Sequence, residues 1–230
     1  MKIFLAVPKM KDEINELKKF LKEFNADIYI FPEGFLRHEN LDEALSIIES
    51  KNKIVITGFR SQDMYEKALV IESGKIVGEY SKCMLTKDEY AKGKKAGDTI
   101  HTIKTKFGII GIPICYEIHF PEVSRIMMYD NPVLLINLIG KGMYHSKQLY
   151  QWTSICKARA IENEVFLIGC SHFCGEIPLA FAYSPEGNVI TEYIGQYGGV
   201  IIDIDSSESQ DKKIGYFADR RPHLFKKISM

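Results

Sequence analysis

The sequence lacks the features that would direct it to a membrane or to a nucleic acid. Its 30 lysines and arginines are matched by 30 aspartates and glutamates, so the formal net charge is zero. Proteins that bind nucleic acid or anionic lipid usually carry an excess of basic residues. The N-terminal apolar run is broken at Pro8, which leaves it far below the roughly 18 residues of a membrane helix and too short for a signal-peptide core. We therefore expect a cytoplasmic protein with no membrane and no nucleic-acid partner.

Cofactor motifs are missing as well. No GxGxxG sequence follows the first predicted strand and no GxxxxGK[ST] sequence occurs, so both common nucleotide-binding loops are absent. The five cysteines are an odd number spread along the chain, which favours free thiols over a disulfide framework. The segment Cys170-Ser-His-Phe-Cys174 offers soft metal ligands, but no second ligand pair follows, and two buried thiols at a strand end is the simpler interpretation. We expect no cofactor and no metal.

The remaining composition is that of an ordinary globular protein, with 46% hydrophobic and 26% charged residues. No linker or low-complexity stretch interrupts the chain, so residues 1–230 are predicted to form one domain. Apolar periodicity predicts helices over 12–24, 41–50, 121–129 and 148–163, and strands over 2–7, 27–31, 53–58, 68–71, 76–80, 108–114, 133–138, 165–170, 179–183, 189–193 and 200–204. Helices and strands alternate at first and strands then accumulate, which indicates an α/β fold with a mixed sheet or two stacked sheets covered by helices.

Three strand ends carry polar or nucleophilic side chains: Glu33, Lys82 and Cys115. Rigid strands position such side chains accurately. Taken singly, the glutamate is an ordinary capping group, the lysine an edge residue that discourages sheet pairing, and the cysteine a small hydrophobe. The functional interpretation depends on the three acting together.

Together, these residue types suit the hydrolysis of an amide. A thiol with an ordinary pKa near 8.5 is mostly protonated at neutral pH, so a nucleophilic cysteine needs a base and a nearby cation. Lys82 would supply the cation and Glu33 the base. The position of Cys115 after a strand and before a predicted helix favours an exposed thiolate. A glutamate that moves one proton back and forth can serve both the departing amine and the attacking water.

The segments around these residues resemble the nitrilase superfamily of carbon-nitrogen hydrolases, whose catalytic Glu, Lys and Cys occur in this order. The similarity extends over nearly the whole chain in five ordered segments: 31–36, 74–82, 111–122, 157–163 and the pair 184–187 with 219–222. The sequence is thus identified as an amidase-like member. The resemblance implies an α-β-β-α sandwich of the nitrilase type and a homodimer formed through helices, or a higher homo-oligomer. We expect the dimer face to include Leu149, Trp152, Ile155 and Cys156 of the predicted 148–163 helix.

The resemblance also assigns supporting residues. Glu89 matches a second glutamate after the lysine, with its neighbour Asp88 as the alternative. The Tyr116 backbone N–H is expected to bind the oxyanion together with Lys82, and Tyr116 and His119 are expected to contact the substrate. His119 stands where many amidases have arginine, so the sequence does not identify the acyl group of the substrate.

Several alternatives stay open from the sequence alone. Tyr116 stands where true nitrilases usually have tryptophan, so a small carboxamide is favoured over a nitrile. N-carbamoyl amides, nitriles and a non-catalytic dimer of the same fold are the other interpretations. A dyad of Cys115 with His119 is less favoured, because two residues of one local turn are poorly placed to orient independently.

Overall fold

The first strand shows why the chain forms layers. In β1 (Lys2–Val7), Ile3 and Leu5 face one way while Phe4 and Ala6 face the other, and all four side chains are fully buried. Successive side chains of a strand point to opposite faces of its sheet. A strand that is apolar on both faces therefore belongs to a sheet that is covered on both sides.

The computed structural model describes residues 1–209 and 214–229, in which the strands form two six-stranded sheets. The first sheet has the order β12 (Gly198–Asp203), β1, β2 (Ile28–Arg37), β3 (Ile54–Arg60), β4 (Glu66–Glu72) and β5 (Lys75–Ser81). The second has the order β11 (Val189–Ile194), β10 (Leu179–Tyr183), β9 (Phe166–Ser171), β8 (Leu134–Ile139), β7 (Gly108–Gly111) and β6 (Ile103–Thr105). Each sheet has three parallel central strands and antiparallel neighbours outside them.

Helices cover the outer face of each sheet. Helices α1 (Glu13–Glu23) and α2 (Leu41–Lys51) lie on the first sheet, and α4 (Pro121–Met127) and α5 (Ser146–Asn163) pack around the second. Apolar side chains from the inner faces of both sheets form the main core between them. The architecture is an α-β-β-α sandwich, which confirms the predicted fold class.

One α-helix and one strand of the structure were not predicted from the sequence. The short helix α3 (Lys87–Ala91) follows β5, and the three-residue strand β6 pairs with β7. Both are too short to show a periodic apolar pattern. Among the described residues, none of the helices combines the length and the apolarity that a membrane crossing requires.

The predicted dimer face of α5 is wrong in part. Trp152 and Cys156 are buried in the chain's own core, with exposed fractions of 6% and 0%, while Leu149 and Ile155 are partly buried against that core. The apolar stripe of α5 is occupied by the second sheet. The large apolar side chains that α5 does expose include Tyr150.

Candidate active site

Glu33 lies on an irregular stretch of β2. The predicted strand ends at Phe31. In the structure β2 continues to Arg37, and its pairing with β3 shifts register between Phe31 and Leu36. Pro32 has no N–H to donate to the neighbouring strand, and Gly34 adopts a left-handed conformation with φ of 66°. The bulge that results turns Glu33 into a cavity at the end of the sheet.

Lys82 comes directly after β5, as predicted. Its N–H donates to the carbonyl oxygen of Glu66 at 2.9 Å, which continues the pairing of β5 with β4 by one residue. Its side chain is 1% exposed. The ammonium Nζ donates to Oε1 of Glu33 at 2.7 Å and to Oε1 of Glu89 at 2.6 Å. One buried cation thus joins two carboxylates.

Glu89 is held in place by the N-terminus of α3. Its N–H donates to Oγ1 of Thr86 at 3.2 Å, and its Oε2 accepts from the Thr86 N–H at 2.7 Å and from the Thr86 hydroxyl at 2.9 Å. This is a capping box. The box occupies Oε2 and leaves Oε1 for Lys82. Asp88 is exposed and also lines the cavity, but it makes no ion pair with Lys82.

Cys115 occupies a strained turn and not the end of a long strand. β7 ends at Gly111, and Cys115 begins a 3₁₀ helix, Cys115–His119, with a left-handed φ of 49°. Such a φ is uncommon for a residue with a side chain and is typical of sharp turns that expose a nucleophile. The prediction of a continuous strand over 108–114 was wrong because Pro113 lacks an N–H and the chain turns there.

Asn137 of β8 fixes this turn from below. Its Nδ2 donates to the carbonyl oxygens of Pro113 at 2.8 Å and of Cys115 at 3.2 Å. Its Oδ1 accepts from Trp152 Nε1 at 3.0 Å. The amide of Asn137 is fully buried and both its nitrogen and its oxygen are hydrogen-bonded, so it holds the turn of Cys115 in one orientation. Asn137 was not predicted as a site residue. The pattern that could have indicated it is a polar residue inside an otherwise apolar strand.

Glu117 joins the turn of Cys115 to the residues after Lys82. Its Oε1 accepts from the N–H groups of Cys83 at 2.7 Å and Met84 at 3.2 Å, while Oε2 accepts from the Ile114 N–H at 2.7 Å. The Tyr80 hydroxyl also donates to Oε1. The side chain is fully buried, and burial raises its pKa even though these donors oppose the effect.

The charge state of the cysteine differs from the expected exposed thiolate. Burial, together with the nearby Glu33 carboxylate, raises the pKa of the Cys115 thiol, although Lys82 and the Gly140 N–H act in the other direction. Burial also raises the pKa of Glu33. For Lys82, burial acts downward, but the Glu33 carboxylate, the Cys115 sulfur and the hydrogen bonds to Glu33 and Glu89 together hold its pKa above the ordinary value. The resting site therefore has a thiol beside a carboxylate that readily accepts a proton.

Of the two residues expected to contact substrate, the structure brings one into the cavity. Tyr116 lines it, and within the described chain no acceptor takes the Tyr116 backbone N–H. His119 does not line the cavity, because its ring packs edge-on against Trp152 with centroids 4.7 Å apart. Burial lowers the pKa of His119. The prediction that His119 contacts substrate receives no support from this placement, and neither does a dyad with Cys115.

His172 positions Glu33 from the neighbouring sheet. Its Nε2 donates to the Glu33 backbone carbonyl at 3.1 Å, and the ring is 2% exposed. Burial lowers its pKa to about 4, so the ring is neutral near pH 7. The sequence analysis considered His172 only as a metal ligand. Over residues 1–209 and 214–229, no cluster of three or more metal-ligating side chains is found.

These side chains share one cavity of about 390 Å³. The four residues Glu33, Lys82, Glu89 and Cys115 come from four separate segments and all line this cavity. Its lining also includes the charged side chains of Arg60, Lys92 and Lys141. The cavity has the size of a small-molecule site. Chemically, it offers a nucleophile, a proton acceptor and a fixed cation side by side.

Sequence comparisons agree with this geometry. The family model described as carbon-nitrogen hydrolase matches residues 7–213. A hydrolase in the agr operon of Staphylococcus lugdunensis is 31% identical over 174 residues, which are 71% of this chain and 73% of that protein. A probable nitrilase of Schizosaccharomyces pombe is 30% identical over 179 residues, which are 74% of this chain and 64% of that protein.

Solved structures show the same fold. A carbon-nitrogen hydrolase from Helicobacter pylori G27 has a TM-score of 0.85 and 17% identity, with 100% of this chain and 99% of that chain covered. A mutant of the amidase from Nesterenkonia sp. AN1, with the acetamide moiety of fluoroacetamide covalently added at its active-site cysteine, has a TM-score of 0.80 and 17% identity, with 99% and 96% covered. At such identities the likeness establishes the fold alone.

Proposed function

The chain belongs to the carbon-nitrogen hydrolase family, and we propose that it cleaves the C–N bond of a small carboxamide through an acyl-thioester on Cys115. One observation carries this proposal: the Lys82 ammonium donates to both Glu33 and Glu89 in the cavity that Cys115 also lines. A buried ion pair is expensive to maintain, and a well-packed apolar set would serve stability equally well. Its position beside a strained cysteine favours a catalytic role.

In the acylation step, the Cys115 sulfur attacks the carbonyl carbon of the amide while its proton passes to Glu33. The pKa of Glu33 is raised by burial, which makes it a better proton acceptor than an exposed glutamate. The oxyanion that forms is bound by the Lys82 ammonium and by the Tyr116 N–H. Glu33 then returns the proton to the leaving nitrogen, the C–N bond breaks, and ammonia or an amine departs.

The second half-reaction hydrolyses the thioester. A water molecule takes the place of the departed amine, gives a proton to Glu33, and attacks the same carbonyl carbon. Lys82 and the Tyr116 N–H bind the second oxyanion. The C–S bond breaks, the thiolate of Cys115 regains its proton from Glu33, and the acid leaves. Glu89 keeps the Lys82 ammonium in position throughout, since the capping box fixes its carboxylate.

The amide is preferred over the nitrile for a physical reason. An amide gives a tetrahedral oxyanion, for which a cation and an N–H are the right partners. A nitrile first gives a thioimidate nitrogen that needs proton delivery. The adduct in the Nesterenkonia amidase, where an acetamide moiety is joined to the active-site cysteine, supports attack by a cysteine within this fold.

The nucleophile can be identified by chemical labelling followed by a screen for turnover. Substoichiometric iodoacetamide should modify Cys115 much faster than the other four thiols, because Glu33 can accept its proton as the sulfur attacks; peptide mapping measures the order. Cys115→Ser should keep the fold and lose turnover by orders of magnitude in an ammonia-release screen of small carboxamides and N-carbamoyl compounds. Glu33→Gln should block both half-reactions. Matched amide and nitrile pairs with the same acyl chain then test the reaction type.

Cys83→Ser is the matched control. This thiol is also half-buried, but it donates to the carbonyl oxygens of Ser81 and Thr99 and does not line the cavity. It should leave turnover unchanged. An acyl adduct on Cys83, Cys156, Cys170 or Cys174 would rule out Cys115 as the nucleophile. Faster turnover of nitriles across several pairs would change the reaction type, and no turnover with no adduct would favour a non-catalytic dimer.

A further inference from the structure

Glu66 is a buried acid that the proposed mechanism does not use. It begins β4, its side chain is 9% exposed, and it lines the cavity. The Lys94 ammonium lies 2.8 Å from its Oε1, while Oε2 is buried and has no hydrogen-bond partner within residues 1–209 and 214–229. A buried carboxylate with one unsatisfied oxygen is costly to keep. The charge of Glu66 therefore requires an explanation, and its ion pair with Lys94 supplies one.

Lys94 also closes the C-terminus of α3. Its N–H donates to the carbonyl oxygen of Glu89 at 3.0 Å, and the Gly93 N–H donates to that of Tyr90 at 3.0 Å. Gly93 has a left-handed φ of 74°. These bonds form a Schellman motif, which ends a helix and satisfies its last carbonyl groups. Lys94 thus joins the end of α3 to strand β4.

Glu89 is held from both ends of this helix. The capping box with Thr86 occupies its N–H and Oε2, and the bond from Lys94 occupies its carbonyl oxygen. A helix of five residues has too few internal hydrogen bonds to be stable by itself. The position of the Glu89 carboxylate at Lys82 therefore depends on what holds α3 to the rest of the chain.

We propose that Glu66 is a positioning residue, which keeps Glu89 against the Lys82 ammonium by anchoring Lys94. The contacts are continuous. The Glu66 carboxylate binds the Lys94 ammonium, the Lys94 N–H binds the Glu89 carbonyl, and Glu89 Oε1 accepts from Lys82 at 2.6 Å. The Lys94 side chain is only 18% exposed, so water and salt screen this ion pair less than a surface pair. The role rests on the proposed amide hydrolysis, in which Lys82 binds the oxyanion.

The loss of either partner should slow the chemical step. Lys94→Met and Glu66→Gln should each lower kcat by about tenfold to a hundredfold, because a misplacement of about 1 Å in a catalytic group can cost a hundredfold. Lys94→Arg keeps the charge and should restore most of kcat. Steady-state kinetics with one carboxamide at saturating concentration measure these effects.

Lys95→Met and Glu79→Gln are the matched controls. Lys95 follows Lys94 but lies over the Tyr65 ring, and Glu79 forms an ion pair of 3.0 Å with Lys67 on β4. Neither Lys95 nor Glu79 lines the cavity. Both variants should retain kcat. Losses in the controls as large as in Lys94→Met would show a general effect of surface charge and overturn the proposal.

A double-mutant cycle distinguishes positioning from a general loss of stability. If Lys94 acts through Glu89, then Lys94→Met added to Glu89→Gln should cause little further loss of kcat. If Lys94 only stabilises the fold, the two losses should multiply. Multiplied losses would refute the positioning role.

Gly93→Ala tests the backbone link without changing a charge. A Cβ at Gly93 would meet no atom within 4 Å, so any effect comes from its left-handed φ of 74°. The variant should lower kcat in the same direction as Lys94→Met. Gly195→Ala is the control, since Gly195 has the same φ and equally open surroundings and lies outside the cavity lining. Equal kcat in these two glycine variants would contradict the link through α3.

Amide hydrogen exchange over residues 86–97 separates this role from the proposed function. Exchange should be faster in Lys94→Met and Glu66→Gln than in the wild type, and unchanged in Lys95→Met and Glu79→Gln. Faster exchange in these two variants of a protein that hydrolyses no amide would support the anchor and refute the proposed hydrolysis. Amide hydrolysis with unchanged kcat in Lys94→Met and Glu66→Gln would support the hydrolysis and refute the role of Glu66.

Discussion

The carboxylate of Glu117 accepts a hydrogen bond from the Tyr80 hydroxyl at 2.9 Å, which joins the strand before Lys82 to the turn of Cys115. The same carboxylate accepts from three backbone N–H groups of these two segments. Glu117 is therefore a positioning residue for the site.

Glu117→Gln should weaken this connection. One oxygen is replaced by an NH₂ group that faces N–H donors, so we expect a loss of about 1–3 kcal/mol in the free energy of unfolding. Turnover should fall through kcat, because Lys82 and Cys115 lose their mutual alignment. Urea unfolding and steady-state kinetics measure both effects. Glu122→Gln, which alters an exposed acid on α4, is the control, and equal effects in both variants would contradict the positioning role.

Lys82→Met should impair the chemical step. Removal of one oxyanion donor typically costs about a hundredfold to a thousandfold in kcat, and Glu33 and Glu89 also lose their shared cation. The rate should be measured at saturating substrate. Lys104→Met removes an exposed lysine from β6 and should have no effect. Near-normal kcat in Lys82→Met would refute its role in binding the oxyanion.

Glu89→Gln and Asp88→Asn form a matched pair of neighbours. Of these two, Glu89 contacts the Lys82 ammonium, at 2.6 Å, and Asp88 does not. Burial acts upward on the pKa of Glu89, but Lys82 and Thr86 hold it below the ordinary value. We expect Glu89→Gln to lower kcat and Asp88→Asn to retain it. The comparison requires kinetics with one carboxamide substrate. A lower kcat in Asp88→Asn together with a normal kcat in Glu89→Gln would assign the supporting role to Asp88.

His172 should make stability depend on pH. Burial lowers its pKa from 6.5 to about 4, so between these values the unfolded chain binds more protons than the folded one. The stability that neutral His172 contributes is fully present above pH 6.5. As the pH falls toward 4 this contribution is lost, which lowers the free energy of unfolding by on the order of 3 kcal/mol. Urea unfolding between pH 7 and 4.5 measures the slope.

The raised pKa of Glu33 makes the protein more stable as the pH falls, which is opposite to the effect of His172. The contribution of His172 is therefore the difference between the pH profiles of the wild type and His172→Gln. His172→Gln keeps an N–H donor for the Glu33 carbonyl and should flatten the decline of stability with falling pH. His38→Gln changes an exposed histidine and should leave the profile unchanged. An identical slope in the wild type and in His172→Gln would contradict the prediction.

The homodimer remains a prediction. The chain should sediment at twice its mass of 26.3 kDa at micromolar concentration. Because Trp152 and Cys156 are internal, the interface on α5 would involve exposed side chains such as Tyr150, which is 73% exposed. Tyr150→Glu should weaken association, and Ile76→Glu on the edge strand β5 should not. A stable wild-type monomer would refute the dimer.

The sequence by itself determined the layers and the chemical types of the site. Apolar periodicity located most of the long strands and helices, because a strand such as β1 must bury both of its faces. It ended β2 six residues early, at Phe31, and extended β7 past Gly111. Glu33, Lys82 and Cys115 stood out because each stands at the end of a predicted strand or hairpin. The Thr86-x-x-Glu89 spacing also carried a local signal, since a capping box depends on neighbours in sequence.

Only the tertiary structure decided how these groups meet. The hydrogen bond from His172 to the Glu33 carbonyl and the ion pair of Lys82 with Glu33 join residues far apart in sequence. The choice of Glu89 over Asp88 depends on which of the two side chains contacts Lys82. Burial then reversed the expected state of Cys115, because the pKa of a thiol responds to the charges and the low polarity that the fold places around it. No local pattern encodes that environment.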